Sequence, residues 1–196
     1  MINYYKILTL VILSVCFLGC GGSKPSRYYI LSEMASPPKI VADKSGLQIG
    51  IGPVRFPEHL RRPQIGSFIG RNQLKFAEYD RWAEPLDENF LRVLSENLSE
   101  LLQTDKVYTY PFIGAPQFDY QLILDIREFV MKQQDAVILS VQWQIIKTDD
   151  QELLSTQRAT YRQPVNPEDY SSIVEGMSQT IENFSRVIAE NFSNYY

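Results

Sequence analysis

The 196-residue sequence predicts an α+β fold, a largely antiparallel sheet with two main helices packed on one face in a single domain. Three observations carry this reading. Apolar residues recur at spacings of four and three in two separate segments, and they alternate every second residue in three consecutive segments. The order along the chain is strands, a helix, more strands and a closing helix.

The first segment is an apolar run, Ile7 to Leu18, behind Lys6, too short to span a bilayer and built like a secretory signal. It ends Phe17-Leu18-Gly19-Cys20 and is followed by Gly21-Gly22-Ser23, which resembles a lipobox, with Phe17 where leucine is most usual. Cys20 is then the lipidated first residue of the mature chain, after a signal peptide of residues 1–19. The mature 177 residues suit one compact domain and carry 18 basic against 23 acidic residues, formally −5. That balance, with no Lys/Arg block denser than Arg61-Arg62, argues against a nucleic-acid or anionic-lipid surface. Cys16 lies in the discarded run and Cys20 is blocked, so neither a disulfide nor a cysteine metal site can be built. Two or three acyl chains at about 0.8 kcal/mol per buried methylene hold a protein on a membrane essentially permanently.

Residues 20–27 form a lipidated tether reaching about 25 Å at most, and residues 28–196 form the body. Tyr28 to Leu31 reads as a short strand, and Ser36 to Ser45 as a surface loop. Leu47, Ile49 and Ile51, then Val54 and Phe56, mark a strand that carries Gly50 and Gly52 on its other face. Ile65–Ile69 and Leu74–Tyr79 flank Gly70-Arg71-Asn72 as a hairpin. Pro85 fits a first helical turn, ahead of the stripe Leu86, Phe90, Leu94, Leu98 and Leu101. After a short strand at Val107–Tyr110, segments near 118–126, 137–145 and 153–161 alternate as an antiparallel meander. Asn166-Pro167-Glu168-Asp169 reads as the start of a last helix, with a stripe from Tyr170 to Ile188. That stripe is longer than a small sheet needs. Core packing and a subunit contact at Phe184, Ile188 and Phe192 are its two readings.

A search for chemistry leaves little. His59 is the single histidine. Gly66 to Gly70 has the wrong spacing for a nucleophile elbow, and Gly50-Ile51-Gly52-Pro53 lacks the rest of a phosphate loop. Asp119 and Asp125 share a strand face but stand about 20 Å apart, too far to share acid and base work. Asp125 and Arg127 read as a surface ion pair, and Asp149-Asp150 as a turn. No cofactor and no metal site is expected. Twelve tyrosines are many. Tyr28, Tyr29, Tyr108, Tyr110, Tyr195 and Tyr196 supply either a contact surface or a half-buried layer on the sheet, while Trp82 and Trp143 read as core.

Arg81-Trp82-Ala83-Glu84-Pro85-Leu86 carries a family resemblance, together with Tyr28-Tyr29-Ile30-Leu31, Gly52-Pro53-Val54 and the run Pro57 to Gln64. In these segments the chain looks like the PqiC family, auxiliary lipoproteins of ABC-type and MCE-type transport systems. The resemblance implies a non-enzymatic periplasmic protein, lipid-anchored to the outer membrane, that partners an MCE-domain protein in lipid transport and envelope maintenance. It also leaves room for a homo-oligomeric ring. Gly21, where an aspartate would retain a lipoprotein at the inner membrane, agrees with outer-membrane placement. Within the motif, Arg81, Trp82, Glu84 and Pro85 have two readings, a structural one with Trp82 under the helix and a direct partner contact, and the same choice applies to Tyr28 and Tyr29. A stand-alone lipid- or solute-binding lipoprotein, with a cavity between sheet and helices, is the alternative function.

Overall fold

The computed structural model describes Tyr4 and residues 24–35, 46–114, 117–132 and 135–195. The signal segment, Cys20 and the 36–45 loop lie outside these residues, as does Tyr196. In chain order the elements are β1 (Arg27–Tyr29), β2 (Ile49–Arg55), a 3-10 turn (Glu58–Leu60), β3 (Gln64–Ile69), β4 (Gln73–Trp82), α1 (Leu86–Leu102), β5 (Val107–Thr109), β6 (Tyr120–Lys132), β7 (Ala136–Lys147), β8 (Glu152–Pro164) and α2 (Tyr170–Ser193). The fold is α+β, one mixed sheet of eight strands with two helices.

The meander β6–β7–β8 is antiparallel throughout, as the alternation predicts. Period-two burial explains it: Leu122, Leu124 and Ile126 of β6 and Leu139, Val141 and Trp143 of β7 are all in the core. Beyond β6 the sheet divides. The second edge of β6 serves two neighbours, β2 along its first half and β3 at the single position Ser67↔Met131. β5 continues the sheet outward from β2, and β4 then β1 continue it from β3. The β3–β4 hairpin is antiparallel, whereas β1–β4, β2–β5, β2–β6 and β3–β6 are parallel, so the sheet is mixed. Strands brought together by the return of an intervening helix or long connection pair in parallel, and no local periodicity announces it.

Both helices bury the predicted stripes. Leu86, Phe90, Leu94, Leu98 and Leu101 of α1 are buried, as are Val174, Met177, Ile181, Phe184, Ile188 and Phe192 of α2. Each such side chain contributes about 1.5–3 kcal/mol. Phe184 meets Trp143 at 5.4 Å and Phe192 meets Tyr120 at 5.8 Å, so the end of the α2 stripe belongs to the core of the chain itself. The start of α2 falls later than predicted. Asp169 is its cap, accepting the Ser171 N–H at 2.9 Å, while the Asn166 side chain accepts from the Glu168 N–H in a turn of its own. At the other boundary β4 runs on through Trp82, which places the first half of the Arg81–Pro85 motif on a strand.

Candidate functional site

The structure brings the two remote motif segments together. β1 lies parallel to β4 with Arg27 opposite Asp80, Tyr28 opposite Arg81 and Tyr29 opposite Trp82. Alternation divides these six side chains between two faces. Arg27, Tyr29, Asp80 and Trp82 point toward the helices, and Tyr28 and Arg81 point the other way.

Asp80 organises the inner face. Its carboxylate is 5% exposed and accepts from Arg27 Nε at 2.7 Å, Arg27 Nη2 at 3.0 Å and the Tyr29 hydroxyl at 3.0 Å. A carboxylate with two guanidinium donors and a phenol is stable in a desolvated place, where an unpaired one is not. The same carboxylate, through that hydrogen bond, raises the Arg27 pKa above its ordinary value. Tyr29 and Tyr170, whose rings lie 6.4 Å apart, are pushed up by burial first and by Asp80 second.

Past β1 the chain is sewn to both helices by its backbone. Ala83 N–H donates to the Tyr29 carbonyl at 2.8 Å, Leu31 N–H to Asn89 Oδ1 at 2.7 Å, Ser32 N–H to Ser178 Oγ at 3.0 Å and Met34 N–H to Asn97 Oδ1 at 3.0 Å. Asn97 in turn donates to Ser185 Oγ at 3.2 Å, linking α1 to α2. Buried amides on α1 thus satisfy a segment that has left the sheet and would otherwise strand its N–H groups.

Against this geometry the motif residues separate by role. Trp82 is buried in the core, with His59, Leu86, Phe129 and Met177 around the same crevice. Glu84 accepts from Arg92 Nη2 at 3.1 Å, and Arg92 also reaches Glu33 at 3.2 Å. The Pro85 carbonyl accepts the Asn89 N–H at 3.0 Å as α1 begins. Each of these three, like Tyr29, makes contacts inside the chain. Tyr28 is 67% exposed, and Arg81 has a buried Nε without a hydrogen-bond partner among the described residues. Cys20 lies outside the described residues. Sequence reasoning passed over Arg27, Asp80, Asn89 and Asn97. A signal existed for Asp80, which stands two residues before a core tryptophan on an alternating strand, so its side chain had to be buried with a partner.

Elsewhere the weak candidates resolve as structure. The Asp119 carboxylate accepts the Gln48 N–H at 2.7 Å, Asp125 and Arg127 form a surface pair at 3.7 Å, and the His59 ring packs edge-on to Phe68 at 6.1 Å. Between sheet and helices, the crevice bounded by Leu60, Ile65, Trp82, Leu86, Phe129 and Met177 holds about 10 Å³. That volume is at the threshold for one water and far below an acyl chain. Larger hollows are open grooves. One of about 470 Å³ runs where β2 leaves β6, and one of about 450 Å³ lies between residues 30–35 and α2. No described helix is long and apolar enough to cross a membrane.

The family model of the ABC-type transport auxiliary lipoprotein component matches residues 29–189. No curated protein matches the chain. Among solved structures, that of an uncharacterized protein is 21% identical over 86% of this chain and 99% of its own, with a TM-score of 0.70. The structure of protein XCC0632 from Xanthomonas campestris is 15% identical over 84% of this chain and 93% of its own, also with a TM-score of 0.70. Both share the fold.

Proposed function

Because the chain belongs to the family of ABC-type transport auxiliary lipoprotein components, we propose that it is a non-enzymatic docking subunit of an ABC/MCE-type lipid transport system. In this reading Cys20 carries the lipid, residues 1–19 are removed, and residues 20–27 hold the body to the periplasmic face of the outer membrane. Its partner is the MCE-domain protein of the system. Identical copies assemble in a ring, with Tyr28 and Arg81 as the side chains free to meet a neighbour.

The filled interior is the observation that carries the reading over a stand-alone lipid carrier. A carrier needs an enclosed apolar cavity of several hundred cubic ångströms, and among the described residues the crevice between sheet and helices beside Trp82 holds about 10 Å³. The clamp at Asp80 also suits a tethered part, since it ties the segment next to the tether to β4 while the N–H groups of Leu31, Ser32 and Met34 tie it to both helices.

Affinity capture of the lipidated chain from envelope membranes is expected to recover the MCE-domain protein; recovery of no transport component overturns the proposal. In native mass spectrometry a bare oligomer is expected, and a monomer with one stoichiometric lipid supports the carrier instead. Cys20→Ala is expected to abolish membrane retention, and unchanged localisation removes the anchor from the scheme.

A further inference from the structure

From Tyr108 to Phe118 the sequence has eleven residues, four of them aromatic, and no formal charge. This stretch gives its first two residues to β5, which pairs with β2 and ends the strand order of the described sheet. Its rings pack on one another, Phe112 against Phe118 at 4.6 Å, Tyr110 against Phe112 at 5.7 Å and 90°, and Tyr108 against Phe118 at 5.7 Å. The seat beneath them is two glycines of β2. A Cβ on Gly50 would stand 2.8 Å from the Phe118 ring, and one on Gly52 would stand 2.4 Å from the Tyr110 Cβ.

The cluster is fixed yet open, with Tyr110 52% and Ile113 97% exposed. Rigid aromatics presented without a cover are the composition of binding hot spots, because little side-chain entropy is left to lose. Helix α2 gives their position. Its first residue, Tyr170, touches Tyr29 where the tether arrives, and Phe192 in its last turn touches Tyr120, two residues past Phe118. At 1.5 Å per residue these two positions of the helix stand about 33 Å apart. The aromatic cluster therefore faces away from the point of attachment. Asp105, Lys106 and Asp119 flank it in sequence, a mixed rim rather than the basic one that draws a loop into an anionic bilayer.

We propose that the surface of Tyr108, Tyr110, Phe112, Ile113 and Phe118 docks a protein subunit of the transport system, seating an uncharged apolar segment of that subunit beside the edge of β5 that no described strand pairs. This deepens the docking reading and rests on it.

The test is binding of the purified lipidated chain in detergent to the MCE-domain subunit of its own transport system. Ile113→Asp is expected to weaken binding tenfold or more without lowering the melting temperature, and Phe112→Ser to weaken it as far with some loss of stability because its ring packs on Phe118, while Ile30→Asp at the tether end, 48% exposed, leaves it within twofold. Binding by the parent that both far-end variants retain overturns this surface and leaves the docking reading standing. A parent that does not bind removes the docking reading, and this surface with it. If Ile113→Asp converts an oligomer of the isolated chain to a monomer, the surface joins identical copies and the assignment fails. It fails also if Ile113→Trp, in the lipidated chain on vesicles, is quenched by brominated phosphatidylcholine, because the loop then lies in lipid.

Discussion

The two ends of α2 solve opposite problems. At the tether end, charge and amide groups are drawn inside and satisfied: Asp80 takes Arg27 and Tyr29, and Asn89 and Asn97 take backbone N–H groups of the segment after β1. At the far end, formal charge is absent from Tyr108 to Phe118 and apolar side chains are left outside, at Tyr110 and Ile113. Buried polar pairing is therefore concentrated at one end and exposed apolar contact surface at the other. A side chain whose loss unfolds the protein cannot easily change with its partner, whereas one that touches only solvent can.

Substitutions sharpen the comparison by separating scaffold from surface. The largest effect is expected at Gly52, the one place where the far end depends on backbone. Its φ of +124° and the Tyr110 Cβ beside it leave no room for a methyl group. Gly52→Ala is expected to cost about 3 kcal/mol through strain and overpacking, measured by urea denaturation. A stability equal to the parent would show that the aromatic cluster does not rest on β2 as described. Asp80→Ala comes next, at about 2 kcal/mol, because it leaves the Tyr29 hydroxyl and the inner face of Arg27 without an acceptor. Much of Arg27 is in solvent, which keeps the loss below that of a fully buried pair.

Alkaline pH gives a smaller, general effect. Tyr161 has a buried hydroxyl without a hydrogen-bond partner among the described residues, and burial pushes its pKa up to about 12 from the ordinary 10.0. The folded state holds that proton more tightly than the unfolded state, so the associated stability is complete below pH 10 and is lost as pH rises toward 12. The melting temperature should fall over this window, and Tyr161→Phe should fall less steeply; parallel curves would assign the loss to Tyr29, Tyr79 and Tyr170, which are raised as well. The smallest change belongs to Ile113→Asp, expected to stay within about 0.5 kcal/mol because the side chain touches solvent.

Periodicity made the helices and the meander readable. Leu86 to Leu101 and Tyr170 to Ile188 carry a helical repeat, and Phe118 to Ile126 a strand repeat, because each element buries one face against one core. Parallel pairing was not readable. The partner of Tyr28 is Arg81, 53 positions away, and only the completed fold chooses it. For the same reason Gly50 and Gly52 looked like ordinary strand glycines, when their small size serves aromatic rings arriving from positions 110 and 118. The motif from Arg81 to Pro85 was visible as a unit, and its division into inward and outward residues was not, because β4 was expected to stop at Tyr79. The reading of Cys20 rests on local pattern alone, and the residue lies outside the described ones.

The direction of β1 has a mechanical consequence. A tether pulled away from the body loads the β1–β4 pair along the strand axis, so Arg27, Tyr29 and the contacts of Leu31, Ser32 and Met34 share the force together instead of opening one after another. A load entering along β1 is therefore met in shear, which takes more force than peeling the same bonds apart singly.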